Sequence, residues 1–313
     1  MCAFRRKGWW SCVNRVLVWY GELTTGRRLL LRGVLLVLPG VVWLLAFLLL
    51  PGLLLFPLSL AERGAFGEVV WTFSLENYRR LLGFGVLGFS PDNLLALLRT
   101  LGVAGITTLL CLVLAFPIAF FIRAQEPRRR YFWLSLVLVP FWTNLVIRTY
   151  AWQLLLAPEM PFARLAAALG LAEPGMALFP GAFAVYVGMV SAFLPFMVLP
   201  LYASVERMDE SLVEAVRDLY GGPLRVFLHG VLPQVLPGLS VGVILTFVPA
   251  LGMFVVPDLL GGAKHFLLGN LVQQAFYTMR DWPYGAALSL VLILFTLWGL
   301  KVYRRFGKEV DLA

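Results

Sequence analysis

Nucleotide hydrolysis, metal catalysis and acyl transfer each need a few side chains at fixed spacing. The chain has four lysines, Lys7, Lys264, Lys301 and Lys308, and none is followed by Ser or Thr. That excludes a phosphate-cradling loop, whose lysine must precede the hydroxyl that meets magnesium. Gly261-Gly262-Ala263-Lys264 approaches the pattern but runs on into His265. The two histidines, His229 and His265, flank opposite ends of one apolar run, and no CxxC or HExxH spacing occurs. No metal ligand set follows from them. Gly238-Leu-Ser240-Val-Gly242 matches the GxSxG string of hydrolases. That motif requires a sharp strand-to-helix turn, whereas this copy lies inside an apolar run, where small residues pack helix on helix. Cys2, Cys12 and Cys111 offer no disulfide framework. The expectation is a chain without catalytic residues, metal or cofactor of its own.

The elements around these residues suit passage rather than reaction. Of 313 residues, 60% are hydrophobic and 14% charged, against about 45–50% and about 25% in soluble domains. Too little polar surface is left to cover a water-soluble globule. The composition is that of an integral membrane protein, and it excludes a single-span receptor, a disordered chain and a cytosolic enzyme. Apolar runs mark spans at about 33–61, 100–122, 131–157, 174–205, 230–257 and 282–300. Each approaches the roughly 20 residues that cross a bilayer as a helix, so the predicted fold is all-α with six transmembrane helices. The third run passes Arg148, which must sit near one end or face protein.

Charge then sets the orientation. With both termini cytoplasmic, the inner segments hold 18 of the 26 Lys and Arg and 9 of the 17 acids, a net +9. The outer segments net −1 and Arg148 supplies the remaining charge. That is the asymmetry of the positive-inside rule, and it makes nucleic-acid binding unnecessary. Trp9, Trp10, Trp19 and Tyr20 stand among the N-terminal basic residues; a segment lying on the inner membrane surface and a disordered basic tail both fit. Within the spans no Asp, Glu, Lys or His stands well inside the boundaries, which disfavours an ion-coupled secondary transporter working without an ATPase. That alternative stays open, because backbone carbonyls at helices broken by Pro117, Pro140, Pro195, Pro200 and Pro249 can also bind sodium.

The loop at 206–232 breaks the charge trend. From Glu206 to His229 it carries five acids, Glu206, Asp209, Glu210, Glu214 and Asp218, against Arg207, Arg217 and Arg225. Leu212, Val213, Val216 and Leu219 recur at helical spacing, which predicts a short amphipathic helix from about Asp209 to Leu219. Gly221-Gly222-Pro223 turns the chain, and Pro233 is placed to begin the next helix. An ordinary interfacial helix fits this pattern; so does a finger that projects into the cytoplasm and docks on a partner, with small Ala215 allowing close approach and Glu214, Arg217 and Asp218 at the rim.

Glu214-Ala215 followed by Asp218-Leu219, Phe227 and Leu232-Pro233 resembles the EAA loop of permease subunits of bacterial ABC importers. Val216 stands where a second small residue is usual, and Tyr220 where glycine is, with Gly221 one step later. Further segments are similar to the spermidine/putrescine-type permease: Pro140-Phe-Trp142-Thr-Asn144 through Arg148-Thr-Tyr150-Ala-Trp152, Leu194-Pro-Phe-Met-Val-Leu-Pro200, Pro257-Asp258-Leu-Leu-Gly261-Gly262, Gly269-Asn270 and Arg280-Asp281-Trp282-Pro283-Tyr284-Gly285. The resemblance covers most of the chain from about Asn77 onward.

That resemblance implies a type I importer permease in a bacterial inner membrane. It would comprise a basic cytoplasmic segment at 1–32, a permease domain at 33–305 with a coupling loop at 206–232, and a tail at 306–313. It implies two ATP-binding subunits holding ATP and Mg, a second homologous permease and an extracytoplasmic substrate-binding protein. Glu214, Ala215, Arg217, Asp218 and Gly221 would couple to the ATPase. The substrate class implied is a polyamine, with opines and other small organic amines carried by relatives. Ammonium groups favour carboxylates and aromatic faces, which makes Trp142, Tyr150, Phe254, Asp258, Asp281 and Trp282 the pathway candidates. Proline and glycine on both sides of Phe254 predict a helix break, with Asp258 beyond it at an outer gate or on a plain surface turn. Trp282 and Tyr284 equally suit an interfacial aromatic belt. Arg148 opposes a cation-selective site unless a carboxylate pairs with it.

Overall fold

Long charge-free leucine runs form helices in a bilayer because every backbone N–H and C=O must be satisfied within its own segment. In the computed structural model, which describes residues 29–64, 66–85, 88–170, 173, 175–262 and 267–310, helices dominate. The N-terminal aromatics, Cys2 and Cys12, and Lys264 and His265 lie outside the described residues.

The chain divides into two units, residues 1–57 and 58–313. The first contains helix α1, Leu29–Leu44, continued by a π-helical turn at Leu45–Leu49 and by all but the last two residues of Leu50–Ser59. The second opens with two short antiparallel strand pairs, β1 Glu62–Arg63 with β2 Val69–Val70 and β3 Phe84–Gly85 with β4 Gly88–Phe89, around helix α2, Glu76–Leu81. These hairpins are the one departure from an all-α chain among the described residues. Asn77 of α2 is buried and donates to the Ser59 and Ala61 carbonyls at 2.9 and 2.8 Å.

The main body follows. Helix α3 is Asp92–Arg123, α4 Pro127–Trp142, α5 Leu145–Leu155 and α6 Pro161–Ala168. Helix α7 is Ala182–Glu206, α8 Glu210–Tyr220 and α9 Pro223–Leu251, the last with a π-helical turn at Phe227–Val231. Helix α10 is Val255–Gly261, α11 Leu268–Tyr277 and α12 Trp282–Val310. Among the described residues five helices are long and apolar enough to cross a membrane; α4 and α5, bent by 94° at their junction, make a sixth if counted as one span.

Three boundaries differ from the sequence expectation for physical reasons. The third run is not one rod. It breaks at Thr143-Asn144, where the Asn144 side chain caps α5 by accepting from the Val146 N–H at 2.8 Å, and Arg148 donates back to the Pro140 carbonyl at 2.6 Å. Among the described residues that carbonyl, and no carboxylate, is the partner of Arg148. The fourth run becomes helical only at Ala182. The fifth helix begins at Pro223, not Pro233, because Gly222-Pro223 supplies an extended residue followed by a proline suited to the first helical turn.

The core lies where α3, α7 and α9 meet. Ala104, Cys111, Ala115 and Ala119 form a small-residue stripe on α3, and Met197, Val198, Leu201 and Val205 fill α7's inner face, all fully buried. Without a hydrophobic force between spans, such helices associate by close packing. The GxSxG string has that role. A side chain at Gly238 would strike the Pro200 carbonyl and Ser204, and one at Gly242 would meet Met197 Sδ at 2.8 Å, while Ser240 bonds the Pro237 carbonyl of its own helix.

The coupling finger and the transmembrane segments around it

Helix α8 ends where its sequence says it must. Asp209 Oδ1 accepts from the Ser211 N–H at 2.9 Å and from its hydroxyl at 2.8 Å, satisfying a free donor of the first turn. Those bonds hold the Asp209 carboxyl below the usual carboxylate range. At the other end Gly221 takes φ +66° and donates to the Arg217 carbonyl at 2.9 Å. A left-handed residue stops a helix with least strain when it is glycine, so Gly221 does here the turning that the family pattern gives to the preceding position.

Val213 and Val216 face inward, 3.4 Å from where a side chain at Gly230 would begin; glycine there lets α8 lie against the π-helical turn of α9. The opposite face is open. Glu214, Ala215, Arg217 and Asp218 are all exposed, and Leu219 is 80% exposed. A bare leucine flanked by both signs of charge and a small alanine is the make-up of a protein-docking face, with an apolar centre and a charged rim. Beside it, Val213, Arg217, Gly221, Pro223 and Phe227 enclose a groove of about 310 Å³.

Sequence reasoning missed the root of this finger. Arg123, at the end of α3, donates to the Met208 carbonyl and to Glu210 Oε1, both at 3.0 Å. Gln234 on α9 brackets Asp209: its Oε1 accepts from the Asp209 N–H at 2.8 Å and its Nε2 donates to the Asp209 carbonyl at 3.2 Å. Arg130 on α4 stands 3.7 Å from Glu206, which also accepts from the Tyr202 hydroxyl at 2.9 Å. Only the excess of acids in this loop hinted at such partners.

The pathway candidates are scattered. Trp142 is 77% exposed at the α4–α5 bend, Tyr150 is half exposed on α5, and Asp258 is exposed on α10. Phe254 lies in the break between α9 and α10, where its carbonyl accepts from the buried Asn270 side chain at 3.0 Å. Asp281 is buried. It pairs with Arg80 at 2.9 Å and accepts from the Tyr284 N–H at 3.2 Å, so it both closes an ion pair and caps α12. Arg80 lies 4.5 Å over the Tyr284 ring. Trp282 is half exposed and edge-on to Phe276. Among the described residues the Asp258 N–H donates to the Phe254 carbonyl at 3.0 Å, across one helical turn, and no side-chain hydrogen bond, ion pair or ring contact joins any two of these six. A cleft of about 1010 Å³ between α3, α4, α5 and α7 is lined by Pro140, Thr143, Arg148, Trp152, Tyr186 and Ser191 among apolar side chains, and by none of the six.

Residues 129–311 match the family described as binding-protein-dependent transport system inner membrane component. The chain belongs to that family. It is a permease subunit of a bacterial ABC-type importer, a multi-pass inner-membrane protein that works with separate ATPase subunits and performs no catalysis. It is 38% identical over 274 residues to the spermidine/putrescine transport system permease protein PotB of Escherichia coli (strain K12), covering 86% of this chain and 97% of that protein. The PotB of Haemophilus influenzae is 35% identical, at 86% and 92% coverage. The inner membrane ABC transporter permease protein YdcU of Escherichia coli (strain K12) is 34% identical, at 70% and 74%. Among solved structures, a bacterial ABC transporter that imports the acidic polysaccharide alginate shares the fold, with TM-score 0.64 at 16% identity over 95% of this chain and 98% of that one. The MetNI methionine ABC transporter matches at TM-score 0.50 and 17% identity, over 68% and 93%. The permease's matched region contains the finger, its α9 support and the α9–α10 break.

Proposed function

We propose that this permease forms part of the route by which a polyamine, spermidine or putrescine, or a related small organic amine enters the cell. The support is its extended identity with PotB proteins from two genera. In this reading α4 and α5 together make one span, giving six, with both termini cytoplasmic and the finger projecting into the cytoplasm, as the charge asymmetry favours. Two ATP-binding subunits, a second homologous permease and an extracytoplasmic binding protein complete the assembly. Closure of the ATPases around ATP drives α8, and α8 carries the motion to the spans. The break between Leu251 and Val255 lies at the far end of α9 from the finger, so displacement of α9 reaches it along one helix.

The observation that carries the coupling role is the finger's split character, its valines packed inward and Glu214, Ala215, Arg217, Asp218 and Leu219 left bare. Selection falls mainly on the binding protein, leaving Trp142, Tyr150, Phe254, Asp258 and Trp282 to make weak contacts in passage. Asp281 then serves the pathway indirectly, by anchoring α12. Glu214→Arg tests the docking role. With the complete assembly in liposomes, uptake and the ATPase stimulation given by loaded binding protein should both fall more than tenfold, while insertion of the chain is unchanged. Normal activity of Glu214→Arg would remove the coupling role from α8.

A further inference from the structure

A finger transmits force only as well as it is tied to what it moves. Helix α8 carries its own caps at Asp209 and Gly221, so both of its ends are satisfied locally, and its valines keep their packing at Gly230 whatever happens at its root. Its connection to them is made instead by side chains converging on residues 206–210 from three helices: Arg123 from α3, Arg130 from α4 and Gln234 from α9.

These ties differ in kind. The Arg130–Glu206 pair, at 3.7 Å and with the Glu206 side chain 48% exposed, is a solvated ion pair of small worth. Gln234 holds the backbone itself. Its amide grips both the N–H and the C=O of Asp209 while its Nε2 also donates to the Gly230 carbonyl at 2.8 Å, fixing the side chain's direction. Arg123, only 16% exposed, bonds a backbone carbonyl and a carboxylate on either side of that same residue. Asp209 is thus seized from α9, and its two neighbours from α3, at the point where α8 begins.

We propose that Gln234 and Arg123 are positioning residues of transport, a two-sided tether at Met208–Glu210 that makes α3 and α9 move with the finger. The inference rests on the coupling reading above. It differs from docking in its consequence: cutting the tether leaves the finger folded and able to engage an ATPase, since water replaces the lost backbone bonds at an exposed root. What is lost is transmission, the bistable link that both ends must share.

The test uses the complete importer in liposomes, with radiolabelled putrescine as probe and uptake and ATP hydrolysis measured together. Gln234→Met keeps the side chain's length and removes all three bonds; Arg123→Met removes both bonds from α3 and keeps an apolar stem. Each should leave stimulated ATPase within about twofold of the wild type while putrescine moved per ATP falls about tenfold. Gln234→Glu, which keeps the acceptor for the Asp209 N–H, should lie between. Unchanged putrescine per ATP in both Met variants overturns the tether. Joint loss of ATPase and uptake, the pattern expected of Glu214→Arg, also overturns it, because the residues would then serve docking or folding. If Glu214→Arg alone is fully active, the coupling reading has failed and the tether with it. A wild type that hydrolyses ATP without moving putrescine would refute only the substrate. The tether is then judged by a fluorophore on Asp258→Cys, whose ATP-driven signal should disappear in Gln234→Met; persistence of that signal overturns the tether.

Discussion

Asp209 shows how much one carboxylate does at the finger's base. Its oxygen caps α8 and its backbone is the object of the Gln234 grip. Because hydrogen bonds from Ser211 lower its pKa, its contribution is fully present above the ordinary Asp value and is lost as pH falls through the depressed one. Amide exchange across 210–220 should therefore be slower in the wild type than in Asp209→Ala at neutral pH. The difference should persist down to the ordinary Asp value of about 3.9 and fade only as pH falls below it, through the depressed value. Asp281 is the contrasting case. A buried carboxylate with one half-solvated cation partner should lose about 1–3 kcal/mol on Asp281→Asn, which keeps a capping oxygen but not the charge. Asp281→Ala should lose about 1 kcal/mol more, the value of the cap; thermal unfolding in detergent reads both. The aspartate was legible in the sequence as a possible substrate contact. Its partner Arg80, 201 residues away, was not, because nothing local records which distant cation a carboxylate will meet.

At the scale of elements, apolar runs and breakers located the long helices and the finger, but not the short helices α2, α6, α10 and α11. The finger is the clearest instance, its helical spacing, aspartate cap and glycine stop all written within a dozen residues. The 94° bend after Trp142 was less legible. Pro140 was read as a possible break and the Asn144 cap was not; an apolar run reads the same whether straight or folded over, and only packing against α7 and α10 decides the angle. The joint between α7 and α9 makes a test of close packing. Gly242→Val would put three carbons against Met197, and should lower stability by about 1–3 kcal/mol by overpacking. Gly102→Val on α3, whose site is open, should cost nothing, because valine meets no neighbour there and is the better helix former by a few tenths of a kcal/mol. Thermal melting of both variants separates the two effects.

For the whole molecule, the absence of a nucleotide loop and the family membership make one expectation sharp. The permease alone in liposomes should accumulate no putrescine under sodium or proton gradients, and uptake should appear only with ATPase, second permease and binding protein together. Accumulation by the single chain, measured as retained radiolabel, would favour the ion-coupled alternative. The close approach at Gly230 then acquires a further meaning. It is the spacer between the lever and the beam. Alanine, whose methyl would sit 3.4 Å from Val213 and Val216, just fits there, and anything larger must pry the two apart. Exchanging that one residue thus offers a way to alter the gearing of the machine, the stroke delivered per engine cycle, with neither the contact face nor the conduit touched.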